Sequence, residues 1–194
     1  MGRVTILKTA EGRKSLALLS AARFGYPATG MITIGVTGTK GKTTTTHMIK
    51  AILKAAGKKV GMIGTSGTVI NGQVTPTMNT TPESYELHQS FAKMAEAGCQ
   101  YMIMEVSSQG IKMHRVDGIS FDYGIFTNIS PDHIGPDEHA DFAEYLYCKS
   151  RLLNMCRIGL VNLNDGHFKE IVKDASCRLY TYRVKEDRET KADF

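Results

Sequence analysis

The sequence predicts an α/β fold, a mostly parallel sheet flanked by helices. Three observations predict it. Short apolar runs alternate with segments of helical period, a glycine-rich loop joins the first such run to the first long helix, and 194 residues with 42% hydrophobic and 22% charged content suit one substantial core. The apolar runs of about six residues fall far short of the ~18 needed to cross a bilayer. Met1-Gly2-Arg3-Val4-Thr5 lacks the apolar stretch of a secretory signal, so a cytoplasmic protein with no membrane contact is expected. Cys99, Cys148, Cys156 and Cys177 form no C-x-x-C pair and are expected to be buried, reduced and structural.

The elements follow in order. Residues 1–30 hold one helical stretch, Arg13 to Ala22, and form a lead-in. Met31 to Val36 is a buried strand, and Thr43 to Ala56 a helix with Ile49, Ile52, Leu53 and Ala56 inward and Gly57 as its stop. Lys59 to Gly64 reads as a second strand. Thr68 to Ile70 and Gln73 to Thr75, around Asn71-Gly72, read as a hairpin with a type I′ turn. A helix follows from Pro82, capped by Thr81, with Leu87, Phe91 and Met94/Ala95 inward and Gly98 at its end. Tyr101 to Val106 is a buried strand carrying Glu105, followed by a polar loop. Then come a strand at Asp122 to Thr127, a helix at Glu138 to Cys156, a strand at Gly159 to Leu163, a helix at Asp165 to Lys173 and a strand at Arg178 to Tyr182. Residues 183–194 hold eight charges, balanced in sign, and read as a solvated tail.

Net charge is +5, yet residues 1–100 carry +8 and residues 101–194 carry −3. The basic residues are dispersed and lack interleaved aromatics, which argues against nucleic-acid binding and for a site where cations meet phosphates and carboxylates hold a metal. Gly35-Val36-Thr37-Gly38-Thr39-Lys40-Gly41-Lys42-Thr43-Thr44 lies where a phosphate loop must lie. Its glycines permit a tight turn that aims N–H groups at phosphate oxygens, the helix N-terminus adds its dipole, Lys42 supplies a charge for the β and γ phosphates, and Thr43 offers a hydroxyl to Mg²⁺. The strict pattern requires glycine where Val36 stands. Glu105 ends a strand on the same side of the sheet, a position suited to a metal ligand. Thr81 is a natural N-cap worth ~1 kcal/mol. His133 can ligate a metal and Asn128 can make amide contacts. On the helix from Glu138, Lys149 completes a stripe with Phe142, Leu146, Leu153 and Cys156. Two outcomes stand open for it: a snorkelling ammonium, or a desolvated amine of lowered pKa.

Taken together these strings resemble the Mur ligase family of ATP-dependent amide-forming enzymes in peptidoglycan precursor synthesis. The likeness is carried by Gly-Thr-Lys-Gly-Lys-Thr-Thr at 38–44, Asn-Thr-Thr-Pro at 79–82, Met-Glu-Val-Ser-Ser-Gln-Gly at 104–110 with His114-Arg115, Thr127-Asn128 with Asp132-His133, and Lys149. The Ser-Ser-Gln-Gly…His-Arg string favours the muramoyl-tripeptide synthetase branch over folylpolyglutamate synthetases. The resemblance implies ATP and Mg²⁺ as cofactors, with Gly38, Thr39, Lys40, Gly41, Lys42, Thr43, Thr44 and Asn128 at the nucleotide. It implies Thr43, Glu105, His133 and a carbamylated Lys149 at the metals, with Lys42, His133 and Lys149 serving catalysis, and Thr80, Thr81, Ser107 and Arg115 at a UDP-N-acetylmuramoyl-dipeptide. The gap from His133 to Lys149 is slightly longer than the family's. The reaction implied is addition of diaminopimelate or lysine through an acyl phosphate. Residues 31–182 would be the central ATP-binding domain of a three-domain monomer, with 1–30 a remnant of a uridine-nucleotide domain and the amino-acid-binding domain absent. Another Mur-like amide ligase, such as a poly-amino-acid synthetase, and a non-catalytic ATP-binding module stand as alternatives.

Overall fold

The computed structural model describes residues 6, 8–136 and 138–184. One eight-stranded sheet runs through it: β1 (Ile32–Thr37), β2 (Val60–Gly64), β3 (Gly67–Ile70), β4 (Gln73–Thr75), β5 (Tyr101–Glu105), β6 (Phe121–Phe126), β7 (Cys156–Asn162) and β8 (Arg178–Tyr182). Their order is β4-β3-β2-β5-β1-β6-β7-β8. Every pairing is parallel except those of β3 with β2 and with β4. The mostly parallel α/β architecture read from the sequence is therefore present. β1 sits at the centre between β5 and β6, so its C-terminal loop meets the ends of both neighbours.

Helices α1 (Gly12–Arg23), α2 (Lys42–Ala55), α3 (Ser84–Glu96), α4 (Ser108–Lys112), α5 (Phe142–Ser150) and α6 (Phe168–Val172) cover the sheet. Successive strand residues point to opposite faces. Met102 and Met104 of β5 join Leu87, Phe91 and Met94 of α3 in one core layer, whereas Ile103 joins Ile34, Val36 and Val60 under Ile49 and Leu53 of α2. A third cluster gathers Phe126, Val161, Tyr145, Leu153 and Ile171 beneath α5 and α6. The lead-in helix α1 buries Ala17 and Ala21, and it packs against α3. No described helix is long and apolar enough to cross a membrane.

Several boundaries move for physical reasons. The hairpin forms as expected, with Asn71 and Gly72 at φ 50° and 85°, the paired positive values that a type I′ turn requires. Helix α3 begins at Ser84 rather than Pro82 because the Thr81 hydroxyl is engaged elsewhere, donating to the Glu105 carbonyl and accepting from the Ser107 amide, both at 3.0 Å. The polar loop after Glu105 contains the short helix α4, whose N-cap Ser107 accepts from the Gly110 amide at 3.0 Å. The long helix expected from Glu138 to Cys156 is only α5, started by the Asp141 side chain, which accepts from the Glu144 amide at 2.8 Å. A 3₁₀ turn (Arg151–Asn154) ends it, and Cys156 already opens β7. The stripe shifts in part: Tyr145, Cys148, Lys149, Leu152 and the expected Leu153 are buried, whereas Phe142, Leu146 and Cys156 are only half-buried. On α2, Ile52 is 67% exposed and Ala56 is exposed, so that helix buries a narrower face than its period suggested. Ala95 of α3 is likewise exposed. All four cysteines are free thiols, but Cys156 and Cys177 are only partly buried. Most of the charged tail, residues 185–194, lies outside the described residues.

Candidate functional site

The loop between β1 and α2 is shaped by two glycines and tied down by the end of β6. Gly38 adopts φ 145°, and a Cβ there would lie 2.0 Å from the Thr127 hydroxyl oxygen. Gly41, at φ 84°, is the N-cap of α2 and has open space where a side chain would project. The Thr39 amide donates to the Asn128 carbonyl at 2.9 Å, and the Lys40 amide donates to Asn128 Oδ1 at 2.9 Å. The Lys40 carbonyl in turn accepts from Asn128 Nδ2 at 3.0 Å and from the Thr127 hydroxyl at 2.8 Å. Both halves of the Asn128 amide thus hold the backbone of Lys40. The free N–H groups at the start of α2 and the positive end of its dipole face the same space.

Lys42 folds back over this loop, donating to the Gly38 carbonyl at 2.8 Å and the Thr39 carbonyl at 3.2 Å. Burial pulls its pKa down, and Glu105 and Asp132 counteract the fall. Beneath the loop lies Lys149, 1% exposed, whose Nζ donates to that same Gly38 carbonyl at 2.9 Å and sits 4.7 Å from the centre of the Tyr145 ring. The snorkelling alternative is excluded by this burial. Desolvation first, and then the charge of Lys42, bring the Lys149 pKa down to about 7. The Tyr145 hydroxyl shares a hydrogen bond with the Thr39 hydroxyl at 3.1 Å, so one aromatic side chain connects the loop to the buried lysine.

On the other side of α2, the Glu105 carboxylate is 2% exposed and surrounded by hydroxyl and amide donors. The Thr43 hydroxyl lies 3.0 Å from each of its oxygens, the Thr65 amide donates to Oε1 at 3.0 Å, and the Thr65 hydroxyl donates to Oε2 at 3.3 Å. The Thr65 and Thr80 hydroxyls are 3.1 Å apart. Only glycine at position 64 leaves room for the carboxylate, since a Cβ there would stand 2.2 Å from Oε1. A buried carboxylate beside a hydroxyl at the foot of a phosphate loop is a hard-oxygen donor set, which fits Mg²⁺.

Thr39, Lys42, Thr43, Thr65, Thr80 and Glu105 line one open cleft of about 340 Å³, together with Lys40, Gly41 and Thr44. The remaining expected site residues lie around it rather than in its lining. His133, at φ 54° and half exposed, pairs with Glu138 at 2.7 Å, and Asp132 beside it stands 3.7 Å from the Lys40 ammonium. Arg115 donates to the Thr81 carbonyl at 3.2 Å and pairs with Glu83 at 2.7 Å. Ser107 caps α4, as described above. Two contributors, Thr65 and Tyr145, escaped the sequence reading. Thr65 follows a strand that neighbours the strand of Glu105, a fact visible only once the strand order is known. Tyr145 stands four residues before Lys149, a helical spacing that the sequence did offer.

The family model described as Mur ligase middle domain matches residues 36–194. The UDP-N-acetylmuramoyl-L-alanyl-D-glutamate--2,6-diaminopimelate ligase of Clostridium perfringens (strain 13 / Type A) is 40% identical over 194 residues, covering 97% of this chain and 40% of that protein. The UDP-N-acetylmuramyl-tripeptide synthetase of Lactococcus lactis subsp. cremoris (strain MG1363) is 42% identical over 168 residues, covering 86% of this chain and 35% of that protein. A solved structure of a UDP-N-acetylmuramoyl-L-alanyl-D-glutamate--2,6-diaminopimelate ligase superposes with a TM-score of 0.79 at 25% identity, over 95% of this chain and 40% of that one. The folylpolyglutamate synthase of Mycobacterium tuberculosis shares the fold, with a TM-score of 0.69 at 16% identity over 87% of this chain and 46% of that one. The chain thus spans about 40% of the length of the first of these curated relatives.

Proposed function

The chain belongs to the Mur ligase family, and from that premise we propose that it is the ATP-binding part of a ligase that joins diaminopimelate or lysine to UDP-N-acetylmuramoyl-L-alanyl-D-glutamate. The single observation that carries this reading is the meeting of the phosphate loop with Glu105 through the Thr43 hydroxyl at 3.0 Å. Residues 31–182 are the ATP-binding unit in this reading, with residues 1–30 as a lead-in whose helix α1 packs against α3. The substrates are those of the similar ligases, and the cleft supplies the chemistry.

The reaction class is transfer of the γ-phosphoryl group of ATP to a carboxylate, followed by attack of an amine on the acyl phosphate with release of phosphate. Lys42, on leaving the Gly38 and Thr39 carbonyls, places its ammonium against the β and γ phosphates, while loop amides and the α2 N-terminus orient them. Thr43 and Glu105 would hold Mg²⁺, which when bound neutralises phosphate charge. Thr80, Thr81, Ser107 and Arg115, ranged around Glu105, form the side from which the muramoyl substrate approaches. His133 and Lys149 serve a second metal in this proposal. A pKa of about 7 leaves Lys149 partly as a neutral amine, the form that adds to CO₂: the nitrogen lone pair forms the N–C bond, one amine proton leaves, and a carbamate anion results.

Calorimetric titration of ATP with Mg²⁺ tests the reading. Binding is expected in the intact chain, weakened by chelation of Mg²⁺ and lost in Lys42→Ala. An unchanged affinity in that variant overturns it.

A further inference from the structure

Outside the cleft, the described residues contain one group of side chains with the donors of a metal centre: His139, Glu144 and Cys148, whose ligand atoms all lie within 4.8 Å of one another. Glu144 and Cys148 are four residues apart on α5, which stacks them on one helical face one turn from each other. His139 enters from the segment before the helix, with Nδ1 3.7 Å from Glu144 Oε2. Its ring packs edge-on to Tyr145, with centroids 5.3 Å apart.

His139 is the anomaly that calls for an occupant. It is 0% exposed, and neither ring nitrogen has a hydrogen-bond partner. Leaving a buried polar nitrogen unsatisfied costs about 1–3 kcal/mol per group. Cys148 is 5% exposed, and Glu144 retains about a third of its side-chain exposure, so the group is closed on the protein side and open through the carboxylate.

We propose that His139, Glu144 and Cys148 form a binding site for a borderline-soft transition metal ion, of which Zn²⁺ is the best fit, with solvent as the fourth ligand. Thiolate, imidazole and carboxylate together match Zn²⁺ rather than the hard Mg²⁺ suited to Glu105 and Thr43. Tetrahedral bonds of about 2.0–2.3 Å place donors roughly 3.3–3.8 Å apart, so closing this group takes side-chain adjustments of about an ångström. The carboxylate is already oriented: the Ala140 amide donates to Oε2 at 2.7 Å and Lys112 donates to it at 3.0 Å. Such outer contacts orient metal ligands, and Lys112 also lies 3.0 Å from Oε1. The bound ion displaces the proton of the Cys148 thiol. The step balances as loss of one proton from sulfur to solvent and formation of one metal–sulfur bond, with no change of oxidation state.

The experiment is titration of the chelator-treated chain with Co²⁺, read by its optical spectrum. A thiolate-to-metal charge-transfer band saturating at one equivalent, displaced by Zn²⁺, is expected. The band should vanish in Cys148→Ala and in His139→Gln, need ~10-fold more Co²⁺ in Glu144→Gln, and persist in Cys177→Ala. Absence of the band in the intact chain, or its survival in Cys148→Ala, overturns the proposal. Should His139→Gln fail to fold by circular dichroism, alkylation of the intact chain decides: Zn²⁺ is expected to protect Cys148 in peptide maps, and equal labelling with and without Zn²⁺ overturns the site. ATP titration of the same samples keeps the two readings apart, since nucleotide binding without a cobalt band removes this site only.

Discussion

Replacing Lys149 by Met exposes the energetic cost of burying an ammonium under the phosphate loop. The pKa falls from its ordinary 10.5 to about 7 because water is excluded and Lys42 shares the same carbonyl. Between those two values the unfolded chain binds more protons than the folded one, so stability rises with pH across that window. The penalty is fully present below pH 7 and gone above 10.5. At about 1.4 kcal/mol per pH unit the whole span is worth about 5 kcal/mol, and the portion between pH 7 and 9 about 2 kcal/mol. Urea melts of the intact chain and Lys149→Met in CO₂-free buffer measure it. The intact chain is expected to gain about 2 kcal/mol on the variant between pH 7 and 9. A difference that stays flat over that range refutes the reasoning, because it would mean Lys149 keeps the same proton folded and unfolded.

Three further perturbations follow from the geometry. Gly64→Ala puts a methyl group 2.2 Å from Glu105 Oε1 and must displace the carboxylate, so the Mg²⁺ concentration needed for ATP binding is expected to rise, as read by Mg²⁺ titration at fixed nucleotide. Asn128→Ala removes both side-chain bonds to the Lys40 backbone and is expected to weaken ATP binding by about tenfold, on the scale of one hydrogen bond of ~1 kcal/mol or slightly more, in calorimetry. Phe91→Ala empties the layer between α3 and β5 and is expected to cost about 3–5 kcal/mol in urea melts, while the ATP affinity of the folded protein stays unchanged.

What could be read in advance depended on how local the cause was. The Asn71-Gly72 turn is decided by two residues, and it formed as expected. Glu105 was visible because a carboxylate ending an apolar run must lie at a sheet edge, but its partner Thr65 was not, since only the order β2-β5-β1 brings the two ends together. The lysine on the apolar face of α5 was legible as an oddity, whereas its bond to the Gly38 carbonyl spans 111 residues and no spacing rule reaches that far. Thr81 shows the reverse error. Its local role as a helix cap lost to two tertiary bonds, with the Glu105 carbonyl and the Ser107 amide, and the helix started later. The start of α5 was signalled by Asp141 with Glu144 three residues on, a pattern that the apolar period alone overran.

The ties between the phosphate loop and the end of β6 bear on how the chain folds. Ten consecutive residues write the loop, yet it is held by residues 87 to 91 positions downstream, Thr127 and Asn128 through its backbone and Ser130 through the Thr39 hydroxyl. Closing so long a stretch has an entropic cost that must be met before those bonds form. β1 and α2 can be assembled while the loop between them has no fixed shape, and the loop becomes a phosphate cradle only when β6 docks beside β1. In refolding, helical signal is therefore expected to precede nucleotide affinity, with the interval set by the arrival of a strand that touches no phosphate.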